Sequence, residues 1–384
     1  MIEKLDGFGD EIAAVGDKIR SQLGSEDLAY LKKIKKLSNI SEILGRSFLY
    51  LSLDPLSWSV GVVLLGVHHQ LETGEIGHSA LHGVWDGLKG AEQWDSKRFC
   101  WATPVDEEFW KKEHNILHHQ YTNIVGLDPD LNYGALRVTE KTRWIPYHLI
   151  QVSQFFWTAP FFIWMIAAHA AGLTDLTHPQ KDKSYAPVLS NRKFKTILKA
   201  SYQTLHKMLP YAFYEFVFWP LLAGPFWWKI LVGNLGADVL RNVYSSAMIY
   251  AGHFGDDLKY YDQSFKAHGR GEWYKAQVEA AHNYTVPGWV SLLCGALDHQ
   301  IEHHLFPRLP PNRLREIAPK IEKICRDYQV HYNKTSWGKN LFAALKRLAK
   351  MSIPSLLPSY SLKNFNPIEL ASIKKLRMFR LQES

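Results

Sequence analysis

Seven histidines in three short stretches carry the chemistry of this chain. Residues 77–82 read GHSALH, with His78 and His82; residues 114–119 read HNILHH, with His114, His118 and His119; residues 299–304 read HQIEHH, with His303 and His304 behind Gln300. Imidazole is the commonest side-chain metal ligand. On a helix, residues four apart share a face, so His78 and His82 can reach one ion, and His114 with His118 repeats the arrangement. His119 turns aside toward a second ion. The adjacent His303 and His304 point in different directions and also suit two ions. Seven or more histidines exceed what one ion can hold, so the count predicts a dinuclear centre. Imidazole suits zinc, copper, iron and nickel, but structural zinc needs only four ligands, usually with Cys among them. An all-nitrogen, ligand-rich pair of sites beside apolar segments fits non-haem iron activating oxygen. Two iron ions are the expected cofactors, with O₂ as co-substrate.

The elements that position these stretches are helical and apolar. Residues 1–40 read as a soluble or interfacial segment ending in the basic helix AYLKKIKKL. Two apolar arms follow, 43–53 and 57–71, split by Asp54-Pro55; proline cannot continue a helix, and its predecessor avoids helical angles, so a hairpin is predicted. No Lys, Arg, Asp or Glu occurs from Trp144 to Leu173, and a basic stretch covers 181–207. A long apolar region from Met208 to Phe254 is interrupted by Glu215, Lys229, Asp238 and Arg241. All three stretches must reach one centre, so they lie on one side of a membrane and an even number of crossings separates the second from the third. Lys and Arg stay cytoplasmic, which puts 181–207 on that same side. The segment 144–174, broken by Pro160, is then interfacial or re-entrant, and 208–228 with 230–252 forms a second hairpin. The expectation is an all-α integral membrane protein, with about four spans of roughly 20 residues and a helical cytosolic cap carrying the metal site. Residues 41–330 form its membrane domain and 331–384 a cytosolic tail.

Composition agrees with this class. The 384 residues include 14 Trp, which suits the aromatic belts of a membrane protein. The mean hydropathy of −0.21 nevertheless demands a sizeable aqueous portion. A net charge of +8 fits a face turned to anionic headgroups, and no nucleic-acid-binding module is recognisable. Cys100, Cys294 and Cys325 form no CxxC pair, which excludes zinc ribbons and iron–sulfur sites and suits a reducing compartment. The polar N-terminus shows no cleavable signal.

HxxxH, HxxxHH and QxxHH in this order, with apolar spans between the last two, resemble the membrane fatty acid desaturases. The wording EIGHSALHG, HHQYTNIVGLDPDLNYG, AGHF, RGEWY and DHQIEHHLFPRLPPNR is similar to stand-alone bacterial acyl desaturases acting on acyl-CoA or acyl-lipid. The resemblance covers roughly residues 40–330. It implies a bacterial inner-membrane enzyme that uses O₂ to insert a double bond into a fatty acyl chain, or alternatively a hydroxylase on the same scaffold. It also implies a further ligand at the end of the last span, His253, with His282 as rival beside Asn283. Gln300 joins the set, His299 being the alternative. No HPGG haem motif occurs, so the resemblance implies a separate electron donor, ferredoxin or cytochrome b5 with a reductase. Glu75, Glu113, Asp298 and Glu302 are candidates to accept ligand N–H bonds and fix tautomers. No catalytic residue is expected beyond the metal ligands. Trp85, Trp94, Trp101 and Trp110 are candidates for the mouth of an apolar tunnel. His148, His169, His178, His206, His268 and His331 read as surface or interfacial, and His68 and His69 as supporting or packing residues. A one-ion zinc hydrolase and a non-enzymatic metal carrier are the readings from other classes.

Overall fold

The computed structural model describes residues 2–133, 135–179 and 182–354. Among the described residues the chain is mostly helical, with two three-residue strands, β1 (Asn283–Thr285) and β2 (Lys334–Ser336), which pair in parallel. The last residues predicted as tail, from 355 on, lie outside the described residues.

Helix α1 (Ile2–Arg20) is followed by the long α2 (Ser25–Leu51) and by α3 (Pro55–Leu71). Asp54 caps α3, its Oδ1 accepting from the Leu56 and Ser57 amides at 2.9 Å each, and Pro55 sits where its missing N–H costs nothing. The basic AYLKKIKKL stretch and the first apolar arm are one continuous helix of 27 residues, about 40 Å long. Nothing in the sequence breaks it near residue 40, because Glu42 pairs with Arg46 one turn on, at 2.9 Å. Gly45 and Gly61 let α2 and α3 touch backbone to backbone: a Cβ on Gly45 would lie 2.8 Å from the Leu65 amide nitrogen, and one on Gly61 2.9 Å from the Gly45 carbonyl. Small residues at such crossings are the usual means of close approach between apolar helices.

A second hairpin pairs Phe194–Leu222 with Trp227–His253, and the polar interruptions in it are satisfied. Glu215 receives Arg46 from α2 at 3.1 Å. Asp238 pairs with Arg241 and accepts from Trp164 Nε1 at 2.9 Å and Tyr211 at 3.1 Å. Large apolar side chains stand exposed along the outer faces of both hairpins, among them Ile43, Leu51, Leu56, Val63, Leu209, Leu221, Val232 and Leu240. One helical stretch among the described residues, Pro146–Ala170, is long and apolar enough on its own to cross a membrane. It is interrupted by a 3₁₀ turn at Ala159–Phe161, around Pro160, where the sequence predicts a break.

Helix α1, the Arg270–Glu279 helix, the third histidine stretch and the Pro311–Asp327 helix pack around Phe8, Ile12, Phe306, Ile317 and Ile321. Gly16 leaves the space that the Phe306 ring fills. The Trp337–Ser352 helix, within the stretch expected as tail, places Ala344 and Leu348 in one apolar cluster with Leu136 and Val138.

Candidate metal centre

The first two histidine stretches sit on π-helical turns, Glu72–His78 and Lys111–His118, rather than on plain α-helix. Wider winding of this kind is frequent at functional sites because it re-aims side chains within a continuous helix. It divides the second stretch differently from the α-helical expectation: His114 joins one group, His118 the other, and His119 stands between. The ring nitrogens of His78, His82, His114 and His303 lie within 4.8 Å of one another, as do those of His118, His253 and His304. The His119 ring is 4.8 Å from His82, 4.8 Å from His303 and 4.6 Å from His304. All eight expected histidines therefore converge on two adjoining clusters.

The donor set has the character of a metal site. The Nε2 atoms of His82, His114, His118 and His303, and both ring nitrogens of His119, are buried without a hydrogen-bond partner. Unpaired buried polar atoms cost roughly 1–3 kcal/mol each, so these five rings form a donor set able to hold metal. Their other sides are fixed. His118 Nδ1 donates to Asp128 Oδ1 at 2.9 Å, His114 Nδ1 to Asp130 Oδ2 at 3.2 Å, and His304 Nδ1 to Gln277 Oε1 at 3.2 Å. These contacts hold the tautomer that leaves Nε2 free. Gln300 Nε2 donates to His253 Nε2 at 2.9 Å and His304 Nε2 at 3.0 Å, so its carboxamide occupies the point between them.

Burial works against charge on His118, but Asp128 and Asp130 outweigh it and hold its pKa up at about 9. His78, His82, His119, His303 and His304 are pushed well below the ordinary imidazole value by burial and by one another. They are neutral and able to ligate. Burial and the neighbouring Asp130 push the Glu113 carboxyl upward, while Asp130, against its own burial, is held down chiefly by His118.

The remaining sequence candidates lie elsewhere. His282 packs its ring against Gly255, and His299 lies 3.2 Å from Asp298 and joins neither cluster. Asn283 donates to Glu302 at 2.7 Å and accepts from the Ile301 amide, tying β1 to the third stretch. None of the four acids proposed to orient ligands makes a hydrogen bond to a clustered histidine. Glu75 is engaged by Arg315 and Tyr30, Asp298 by Ser291, and Glu302 by Asn283 and Tyr332. Glu113 faces His169 at 3.6 Å. They neighbour the histidines in sequence, and on a helix immediate neighbours point to different faces. The orienting acids, Asp128 and Asp130, come from the loop LDPD instead. His148, His169 and His178 are buried rather than superficial, and His169 Nε2 lies 3.4 Å from Asp130. His206, His268 and His331 are exposed as expected.

A narrow cavity of about 70 Å³ runs past His78, His114 and His253. Its walls are mostly apolar and include Trp101, Trp110, Ile163, Ile166, Met248 and Ile249. Trp85 and Trp94 pack instead in an apolar core with Leu31 and Ile34.

The fatty acid desaturase family model matches residues 56–336, which includes every clustered histidine. The chain belongs to the fatty acid desaturase family. Among its relatives, the NADPH-dependent stearoyl-CoA 9-desaturase of Mycobacterium tuberculosis is 31% identical, over 91% of this chain and 80% of the relative. The sn-1 linoleoyl-lipid 6-desaturase of Arthrospira platensis is 25% identical over 77% of this chain and 78% of the relative. The acyl-lipid (9-3)-desaturase of Borago officinalis is 24% identical over 74% of this chain and 61% of the relative. This desaturase is accordingly an enzyme of fatty acyl substrates, mostly helical, with histidine clusters able to hold metal.

The Asp128 contact in this desaturase is open to test. Asp128→Asn keeps the shape of the loop but weakens the acceptor for His118 Nδ1. Loss of an outer acceptor of this kind costs metal affinity about 10–100-fold. Metal titration of stripped protein should show that loss with the helical signal unchanged; unaltered affinity would dismiss Asp128 as an orienting residue.

Proposed function

We propose that this desaturase inserts a double bond into a fatty acyl chain by oxygen-dependent dehydrogenation at a di-iron centre. His78, His82, His114 and His303 hold one ion, His118, His253 and His304 hold the other, and His119 stands where it can serve either. Gln300 sits beside the second. The observation that carries this reading is the convergence of buried imidazoles on two adjoining clusters beside one narrow apolar cavity, with the Nε2 atoms of His82, His114, His118, His119 and His303 unpartnered. Iron bound there would supply the O₂ activation that an unactivated C–H bond requires. Two hydrogens leave neighbouring carbons, and O₂ with two electrons and two protons becomes two waters.

The chain's own residues set the conditions. Trp101, Trp110, Ile163, Ile166, Met248 and Ile249 hold the acyl chain and keep bulk water from the centre. Asp128, Asp130 and Gln277 fix the imidazoles. Electrons come from a separate ferredoxin or cytochrome b5 with its reductase. Four spans, the two arms of each hairpin, place the histidines on the cytoplasmic face of a bacterial inner membrane. The exposed apolar side chains along both hairpins and the basic stretch 181–207 support that topology.

The test is expression with a reductase partner, fatty-acid profiling with double-bond localisation, and metal analysis of the purified protein. The expected content is about two irons per chain, as in other dinuclear carboxylate or histidine centres, with products two hydrogens lighter than their precursors. Stoichiometric zinc, or products heavier by one oxygen, would overturn the reading.

A further inference from the structure

The narrow cavity beside the histidines reaches Trp101, and a wider cavity of about 610 Å³ meets the same indole. Trp101 lines both. Its Nε1 donates to the Glu72 carbonyl at 3.2 Å, and it lies so close over Gly77 that a Cβ there would stand 2.1 Å from the ring nitrogen. The Trp101 ring meets Trp110 edge-on at 5.3 Å, and Trp110 stacks on His114 at 4.5 Å. An aromatic path thus leads from the outer cavity to the candidate metal centre.

The outer cavity has a distinct chemistry. Five carboxylates line it, those of Glu42, Glu72, Asp106, Glu107 and Glu215, against two lysines, Lys35 and Lys207. Arg46 approaches from behind. All three cations are already engaged: Lys35 with Glu72 at 2.7 Å, Lys207 with Glu107, and Arg46 with Glu42 at 2.9 Å and Glu215 at 3.1 Å. Two polar groups on the wall are not. Both ring nitrogens of His69 and Oε2 of Glu215 are buried without a partner, in side chains 4% exposed. The 3.6 Å between His69 Nε2 and Glu215 Oε1 is too long for a hydrogen bond. The aromatic rings of Trp101, Tyr211 and Tyr214 complete the lining.

We propose that this outer cavity receives the ammonium headgroup of a membrane phospholipid whose acyl chain passes Trp101 into the narrow cavity. The inference rests on the desaturase reading above and names its substrate class, an amine-bearing acyl-lipid rather than acyl-CoA. A surplus of carboxylates over cations favours an ammonium and repels the phosphates of coenzyme A. Aromatic faces add cation–π attraction. Glu215 Oε2 and His69 Nδ1 are buried acceptors that carry no hydrogen bond, although the two side chains also face each other as a pair and Arg46 holds the other Glu215 oxygen. The cavity joins Lys35, Lys207 and the polar loop 100–107 to Pro210 and Tyr214 of the apolar hairpin.

The test uses the full chain in detergent micelles. Binding of stearoyl phosphatidylethanolamine, stearoyl phosphatidylglycerol and stearoyl-CoA to metal-stripped protein is followed by tryptophan fluorescence. Conversion of each is then measured on iron-loaded protein with reductant. Phosphatidylethanolamine should bind and convert at least about tenfold better than the other two, and Glu215→Gln should narrow that preference several-fold. Glu72→Gln, on the opposite wall, carries the same expectation should the first variant fail to fold. Equal binding of the two lipids, or preference for stearoyl-CoA, overturns the headgroup site. Selective binding of phosphatidylethanolamine with no double bond formed in any substrate upholds the site and overturns the desaturase reading instead.

Discussion

His118→Ala abolishes double-bond formation and leaves membrane insertion and helical content intact. The side chain is fully buried, its Nδ1 is held by Asp128, and its Nε2 has no partner except the space shared with His253 and His304. Removing it takes one donor from a three-histidine group and leaves Asp128 Oδ1 without the imidazole N–H it accepts. Alanine is a good helix former at a helical position, so the local backbone survives. The measurement is fatty-acid profiling of cells expressing the variant, beside metal content of the purified protein. At least a hundredfold loss of product is expected, with iron falling from about two per chain toward one. Retained product would sink the ligand assignment, and loss of the protein from the membrane fraction would show that His118 is structural.

The second large effect concerns stability rather than chemistry. Arg315→Ala should destabilise the fold by about 3–5 kcal/mol, the usual consequence of orphaning one partner of a buried ion pair. Arg315 reaches from the Pro311–Asp327 helix to Glu75 on the first π turn, at 2.8 Å and 3.2 Å, and also to the Ser291 carbonyl at 2.8 Å. Glu75 is buried and its carboxyl is already pushed upward by that burial against the pull of Arg315. Without the guanidinium, Glu75 must take up a proton or draw in water, with Asp298 nearby adding repulsion. Thermal unfolding in detergent checks this, and the double variant Glu75→Gln with Arg315→Met should recover most of the loss, because it leaves no unpaired charge. An unchanged midpoint for Arg315→Ala would mean that this helix is held by its apolar core alone.

What was legible in the sequence was local. The histidine spacing points to a shared face for His78 and His82, and the eight histidines lie together in two adjoining clusters. The hairpin turn at Asp54-Pro55 was legible for the same reason, since capping and proline chemistry act over three residues. The split of His114, His118 and His119 between clusters was not, because hydrophobic periodicity does not distinguish π from α winding. Asp128 and Asp130 were overlooked although LDPD stands only ten residues beyond the histidines: a carboxylate in a turn reads as a turn residue until the loop is seen folding back. His169 was misread because a lone histidine on an apolar helix carries no partner in its own sequence, and its partner Asp130 is 39 positions away. Near residue 40 the charge composition changes while the helix runs on.

The two π turns have a further meaning. A π turn is an α-helix carrying one residue more than its ladder needs, so each of the first two histidine stretches is a single deletion away from a plain α-helix. Such a deletion would heal the backbone hydrogen bonds at Glu72–His78 or Lys111–His118 while rotating the following imidazoles away from their cluster. Metal-binding capacity in this scaffold is therefore written in the register of its helices as much as in the identity of its histidines, and a chain could lose one while keeping every one of the other.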